Sequence, residues 1–184
     1  MAKVYEFLAN GFEEIEGLAP VDILRRGGVD IKTVSITGTE WVETSHGITI
    51  KADLKFEDIQ SFEDADMLLL PGGMPGTLNL GNCKLVTDTV TEYFNQGKRV
   101  AAICAAPSIL GDLGILNGKR ACSYPGFEDR LAGAATSENE VEHDGTVTTS
   151  RGLGTAIPFA LSLIEQLTDA ETVAKIKESI IFKH

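Results

Sequence analysis

The chain is poor in cysteine, in histidine and in cationic side chains, and each shortage excludes something. Its three cysteines, Cys83, Cys104 and Cys122, form no CxxC pair and no even framework, so no disulfide scaffold is expected and a reducing compartment is. The three histidines, His46, His143 and His184, stand beside a glycine, beside an Asp-Gly turn and at the terminus. None has a zinc-site spacing with a cysteine, and all are expected to face solvent. Sixteen Lys and Arg against 27 Asp and Glu leave a formal charge of −11, which argues against nucleic acid or an anionic membrane as partner. No apolar run approaches the ~20 residues of a membrane span. The start, Met-Ala-Lys-Val-Tyr-Glu, has no signal-like apolar core, so a soluble cytoplasmic protein is the expectation. There is no repeat, linker or low-complexity segment. With an apolar fraction of 43%, residues 1–184 are read as one domain with a sizeable core.

What the chain does have is the stretch Lys98 to Leu110. It reads as a short buried strand, Arg99 to Ile103, that stops at Cys104 and passes at once into a helix through Pro107. Proline suits the first helical turn, where no N–H is needed and its fixed φ already fits. Ala102, Ala105 and Ala106 are small enough for a sharp turn, and alanine is a poor N-cap, so the first helical N–H groups lack a local acceptor. Those donors and the positive end of the helix dipole favour an anion, and a Cys104 thiolate is the nearest one. This is the pattern of a nucleophile elbow with cysteine in place of serine. The competing reading is a buried structural cysteine at a strand end.

Around it, strands are predicted over Val4–Ala9, Asp30–Ile36, Met67–Leu70 and Lys119–Ser123. Hairpins are predicted over Trp41–Phe56, turning at Ser45-His46-Gly47, and over Glu140–Thr149, turning at Asp144-Gly145. The continuous apolar Met67–Leu70 marks a strand buried on both faces. Helices are predicted from Asn10-Gly11 to Gly27-Gly28, with Ile15, Leu18, Val21 and Leu24 at helical spacing, and from Val86 to Gln96, closed by Gly97. Two more run from Gly152-Leu153-Gly154 through Ile157, Leu161, Ile164 and Leu167, and from Asp169 to Lys177. Alternating strands and helices mean an α/β layered, mostly parallel sheet. Such sheets bind ligands beyond the carboxyl ends of their strands. The loops Asn10–Glu16 and Pro71–Gly76 and the Cys104 elbow are therefore expected to converge on one pocket.

Within those loops, Glu13 and Glu14 sit where carboxylates stabilise a helix N-terminus and are expected to face water. Glu16 lies on the side of Ile15, Ala19 and Ile23, which carries it towards the core. A carboxyl buried beside a thiolate has a raised pKa, stays protonated, donates a hydrogen bond to sulfur and moves protons on a substrate. Pro71-Gly72-Gly73 is followed by no Gly-Lys-Ser/Thr, which excludes a P-loop. The Gly73 N–H, together with that of Ala105, is instead a candidate oxyanion donor. Gly152-Leu153-Gly154 is only part of GxGxxG, because the third position is Ile157, so dinucleotide binding is not expected. Cys83 and Cys122 are read as inert.

Taken in order, several motifs together resemble the ThiJ/PfpI family, in the branch that contains the parkinsonism-associated protein deglycase. They are Gly11-Phe12-Glu13-Glu14-Ile15-Glu16, Pro20-Val21-Asp22, Leu70-Pro71-Gly72-Gly73, Ala101-Ala102-Ile103-Cys104-Ala105-Ala106-Pro107, Thr136-Ser137-Glu138-Asn139 and Thr149-Ser150-Arg151-Gly152-Leu153-Gly154-Thr155. The resemblance implies a flavodoxin-like three-layer sandwich, a homodimer, no cofactor and no metal. It implies a nucleophile at Cys104, a protonated partner at Glu16, and oxyanion donors at the Gly73 and Ala105 N–H groups. Tyr124 stands where some members carry a histidine near the nucleophile, which takes support from a Cys–His protease or amidase. His46 stands where relatives can have an arginine at the pocket mouth, and both are counted among the substrate-binding candidates. The activity implied is that of a glyoxalase, or a deglycase, acting on a small carbonyl compound. The rival is a redox-sensing or chaperone-like stress protein in which Cys104 is oxidised. The thiazole monophosphate label that travels with the family finds no phosphate site in this sequence.

Overall fold

The structure is a computed structural model that describes residues 1–183, so His184 lies outside the described residues. Seven strands form its central sheet: β1 (Lys3–Leu8), β2 (Asp30–Ser35), β5 (Leu54–Lys55), β6 (Met67–Leu70), β7 (Arg99–Ile103), β10 (Val141–Asp144) and β11 (Val147–Ser150). Their spatial order is β10-β11-β7-β6-β1-β2-β5, and every pairing is parallel except the β10–β11 hairpin. Two minor pairs lie outside that sheet, the antiparallel β3 (Trp41–Glu43) with β4 (Thr49–Lys51), and β8 (Arg120–Ala121) with β9 (Ala135–Thr136). The helices are α1 (Glu14–Arg26), α2 (Gly76–Asn82), α3 (Lys84–Asn95), α4 (Pro107–Asp112), α5 (Ala156–Leu167) and α6 (Ala170–Ser179).

Three layers follow from the two-residue period of the buried strands. Tyr5, Phe7, Leu68, Leu70, Val100 and Ala102 face one side and pack on Leu80 of α2, Val90 and Tyr93 of α3, and Ile109 and Leu110 of α4. The alternate residues Val4, Ile31, Met67, Leu69, Ala101 and Ile103 face the other side and pack on α1, α5 and α6 through Leu24, Phe159, Ile164 and Ile176. The expected flavodoxin-like sandwich is the architecture found. No helix among the described residues is long and apolar enough to cross a membrane.

Some local expectations differ. Helix α2 was not anticipated, because Gly76-Thr-Leu-Asn-Leu-Gly-Asn is glycine-rich and short of apolar residues. The segment 41–56 does not stay one hairpin: after β4 the chain leaves it, and Leu54-Lys55 joins the edge of the main sheet beside β2. The strand expected over 119–123 shrinks to Arg120–Ala121, so Cys122 lies just past it, fully buried. Ile15 and Ile157 fit a helical period yet are exposed, at 47% and 41%.

One residue conflicts with its surroundings. Glu6, in the middle of β1, has no solvent exposure, and neither carboxyl oxygen has a hydrogen-bond partner. Its register partner on β2 is Thr33, whose hydroxyl is already engaged with the Asp53 carboxylate at 2.9 Å. Above it lies Gly17 of α1, where an added Cβ would sit 3.5 Å from Glu6 Oε1. Burial pushes the Glu6 carboxyl well above the ordinary range, opposed by the charge of Arg25 and reinforced by that of Asp53. Glu6 therefore binds its proton more tightly folded than unfolded. What it contributes to stability is complete below the ordinary glutamate range and drains away as pH rises through the raised folded value. Glu6→Leu is expected to stabilise the protein by about 1–3 kcal/mol at pH 8.5 and by less at pH 5.5, in urea unfolding at both pH values. A gap that does not grow with pH contradicts this account of Glu6.

Candidate active site

In the sheet order the chain turns to α1 on one face after β1 and to α2 on the opposite face after β6, so the crevice of an open α/β sheet opens between the carboxyl ends of these adjacent strands. The two loops there are stapled together. Glu13 N–H donates to Gly72 O at 2.9 Å, and Gly76 N–H donates to Gly11 O at 2.9 Å. This close approach needs glycine: Gly73 has φ +93°, and a Cβ on it would fall 2.2 Å from the Glu13 nitrogen.

The third loop is the turn after β7. Cys104 has φ +66°, a left-handed conformation that costs a non-glycine residue about 1–2 kcal/mol. Its backbone is fixed on both sides, the N–H donating to Ser150 O at 2.9 Å and the carbonyl accepting from Tyr124 N–H at 2.8 Å. The side chain is thereby turned out of the strand, half-buried, above the sheet edge. Helix α4, which follows, is only six residues long. The donors that stabilise an anion on the sulfur are the backbone N–H groups of Gly73 and Ala105.

Glu16, on the first turn of α1, is 2% exposed and faces this sulfur. Gly72 lies between them: a Cβ there would be 2.5 Å from both Cys104 Cβ and Glu16 Oε2. Glu16 Oε2 is buried without a hydrogen-bond partner, and the Cys104 thiol and the Leu153 and Gly72 N–H groups are the polar groups that act on the carboxyl. Burial raises the Glu16 carboxyl to about 7; its contact with Cys104 works against this, the charge of Glu13 adds to it, and the Leu153 and Gly72 N–H groups oppose it. Cys104 moves the same way. Burial, the Glu16 charge and the Glu16 contact push the thiol up to about 12, against the Gly73 and Ala105 N–H groups. The sequence expectation of a sulfur held ionised is therefore corrected. The two acids compete for one proton, and a thiolate forms when that proton sits on Glu16.

Glu13 and Glu14 do not point to water as expected; both are 9% exposed. The reason is the β3–β4 hairpin, which folds over the start of α1 from a distant part of the chain, with Ser45 N–H bonded to Phe12 O at 2.8 Å. Glu13 caps α1 by accepting from Glu16 N–H at 2.8 Å, which fixes the turn that carries Glu16. Glu14 pairs with the exposed His46 ring at 3.0 Å. Burial resists ionisation of Glu14, but its own N–H and the His46 ring bring its carboxyl net below the ordinary range. The same pair raises the His46 imidazole. His46 and His143 are exposed, as expected. Glu13, Glu14 and His46 bring one ligand atom each within 4.8 Å of one another, the cation-like grouping found among the described residues. Hydrogen bonds within Glu14–Ser45–His46 already engage Glu14 and His46, and Glu13 is engaged by the Glu16 N–H. Tyr124 is half exposed at the rim, its ring 3.3 Å from where a Gly152 Cβ would lie. Cys104, Glu16, Gly73, Ala105 and Tyr124 thus come together, whereas His46 stands apart from the sulfur, at Glu14.

The model of the DJ-1/PfpI family matches residues 2–166. The chain belongs to the DJ-1/PfpI family. It is 39% identical to Protein DJ-1 homolog B of Arabidopsis thaliana over 98% of its own length, and spans only 42% of that longer protein. It is 37% identical to a deglycase of Pyrococcus horikoshii, over 81% of this chain and 89% of that one. Oxidized Toxoplasma gondii DJ-1 superposes with a TM-score of 0.95 at 35% identity, with all of both chains covered.

Three contributors to this DJ-1/PfpI site escaped the sequence reading. Gly72 is the spacer between the two acids, Glu13 holds Glu16 in place, and Ser150 holds the Cys104 backbone. Only Glu13 left a signal, its position three residues before Glu16, the N-cap to N3 spacing. The shared proton has a titratable signature. Alkylation of Cys104 should rise through about 7, where burial has placed the Glu16 carboxyl and the pair loses its first proton. In Glu16→Gln that inflection should vanish and one inflection should appear higher, yet below about 12, because the carboxylate charge that helps raise the thiol is gone. Peptide-resolved mass spectrometry across pH measures both, and an inflection unmoved in Glu16→Gln contradicts the pairing.

Proposed function

We propose that the protein is a cofactor-independent glyoxalase acting on small α-oxoaldehydes such as methylglyoxal. The observation that carries this reading is the Cys104–Glu16 pair, a half-buried thiol and a buried carboxyl set against each other across Gly72, with the Gly73 and Ala105 N–H groups acting on the sulfur. With the proton on Glu16, the thiolate adds to the aldehyde carbon. The carbonyl π electrons move to oxygen, and the oxyanion meets the Gly73 and Ala105 N–H groups. Protonated there, the adduct is a hemithioacetal. Glu16 as carboxylate then takes the proton from the former aldehyde carbon and returns it to the neighbouring ketone carbon through an enediol. One carbon is oxidised and the other reduced, so no external oxidant enters. Water hydrolyses the resulting thioester, releasing a hydroxyacid and the Cys104 thiol.

A deglycase activity on early carbonyl adducts differs in its first step, where the former aldehyde carbon passes to the Cys104 sulfur as its bond to the amine or thiol breaks and that group leaves protonated. Isomerisation and hydrolysis then follow as above, and the Pyrococcus relative named a deglycase supports keeping it beside the glyoxalase reading. A homodimer belongs to this proposal too, supported by the exposed Ile15 on α1, Leu153 just before α5 and Ile157 at its start. The redox reading is favoured by one contrast, the half-buried Cys104 against the fully buried Cys122. Mild peroxide followed by mass spectrometry decides it; oxidation spread evenly over Cys83, Cys104 and Cys122 excludes it.

Lactate formed from methylglyoxal, followed by proton NMR, tests the leading reading. Cys104→Ala should abolish turnover, and Glu16→Gln should lower kcat by about 10²–10⁴-fold with a smaller change in KM. Lactate produced by Cys104→Ala at the wild-type rate overturns the proposal.

A further inference from the structure

The segment 150–155 leads from β11 into α5 and meets both members of the Cys104–Glu16 pair. At its start, Ser150 O accepts the Cys104 N–H at 2.9 Å. Two residues on, a Cβ at Gly152 would lie 3.6 Å from Glu16 Oε1 and 3.3 Å from the Tyr124 ring. Gly152 is buried, so backbone rather than a side chain closes this flank of the carboxyl. Next comes Leu153, whose N–H acts on the Glu16 carboxyl and favours its ionised form.

One hydroxyl ties this segment together. A carbonyl only accepts, so the Ser150 hydroxyl donates to Glu140 O at 2.6 Å, and its oxygen can accept from the Thr155 hydroxyl at 2.7 Å. Two lone pairs then remain on the Thr155 oxygen, and two backbone donors meet it, the Arg151 N–H at 3.2 Å and the Gly152 N–H at 3.1 Å. The Gly152 carbonyl lies 2.9 Å from the same oxygen but already accepts the Thr155 N–H at 2.8 Å. The hydrogen-bonding capacity of the Thr155 hydroxyl is thus used up within the segment. The segment's charged side chain, Arg151, donates from Nη1 to Glu138 O at 3.3 Å. The titratable groups that act on Glu16 come from elsewhere, Cys104 from the turn after β7 and Glu13 from the entrance to α1.

We propose that Thr155 is a positioning residue of the site: its hydroxyl holds Ser150 on the Cys104 backbone and Gly152-Leu153 against the Glu16 carboxyl, and so fixes how the two acids face each other. It acts through Ser150, Gly152 and Leu153. Its effect on turnover rests on the glyoxalase reading above, whereas its effect on the Cys104–Glu16 pair does not.

Thr155→Val keeps the branched shape and deletes the hydroxyl; Thr155→Ser keeps the hydroxyl and deletes the methyl. Peptide-resolved alkylation of Cys104 across pH reads the pair without any turnover. Slackening the segment withdraws the Leu153 N–H from Glu16, so the carboxyl keeps its proton to higher pH. The inflection at about 7 should therefore move up by about one pH unit in Thr155→Val and stay in place in Thr155→Ser. A hydroxyl that served only to start α5 would lower the urea midpoint of Thr155→Val and leave the inflection unmoved, and that result overturns the proposal. So does a Thr155→Ser inflection displaced as far as that of Thr155→Val. In the lactate assay Thr155→Val should lower kcat by about 10–10²-fold with KM within about twofold, and Thr155→Ser should restore it. A wild type that forms no lactate removes the glyoxalase reading and leaves the alkylation test of Thr155 to decide. If Thr155→Val does not fold, Thr155→Ser carries the test: an inflection kept at about 7 supports the proposal and a displaced one overturns it.

Discussion

One proton held between Glu16 and Cys104 across the bare Cα of Gly72 is the constraint on which the site depends. Each group is buried enough to resist ionisation; the Glu16 charge raises the Cys104 thiol, whereas the contact with Cys104 lowers the Glu16 carboxyl. The pair can lose one proton near neutrality but strongly resists losing two. That single-proton state offers two tautomers, a thiol beside a carboxylate and a thiolate beside a carboxylic acid. The second is the nucleophilic one, and the Gly73 and Ala105 N–H groups favour it by facing the sulfur.

The surrounding fold supplies what such a pair requires. Cys104 is held in a left-handed turn by hydrogen bonds to Ser150 and Tyr124, elements on the far side of β7 from the Gly72 loop. Glu16 is held by the Glu13 cap, and the Gly72-Gly73 loop is tied to the α1 entrance at Gly11 and Glu13. The same helix sits over Glu6, an unpartnered acid in the core layer beneath it. The helix that carries Glu16 therefore rests over a buried acid whose contribution to folding stability falls as pH rises.

Where local chemistry decides the structure, the sequence was legible. The run Arg99–Ile103 ends at a sharp turn, as its small alanines and Pro107 suggest, and Met67–Leu70 is apolar enough to be buried on both faces. Gly11, Gly97 and Gly145 mark turns because each adopts positive φ. Glu16 was found because the helical period carried it inward. Long-range packing was not legible. Glu13 and Glu14 are covered by a hairpin thirty residues on, which no local pattern announces. Ile15 and Ile157 keep the apolar period yet remain exposed in the single chain. Glu6 occupies a core position that pattern alone would give to an aliphatic residue. The raised thiol of Cys104 was missed for a related reason: helix termini and dipoles are readable from sequence, whereas the depth of burial that overrides them is not.

The most direct test of the central claim is the titration of the Glu16 side-chain carboxyl itself, followed by its ¹³C chemical shift in protein labelled at glutamate, with Glu16→Gln to assign the signal. A shared, buried proton predicts an inflection near about 7, matched by the rise in Cys104 reactivity over the same pH range. A Glu16 carboxyl that titrates in the ordinary range, near about 4.3, would contradict the account.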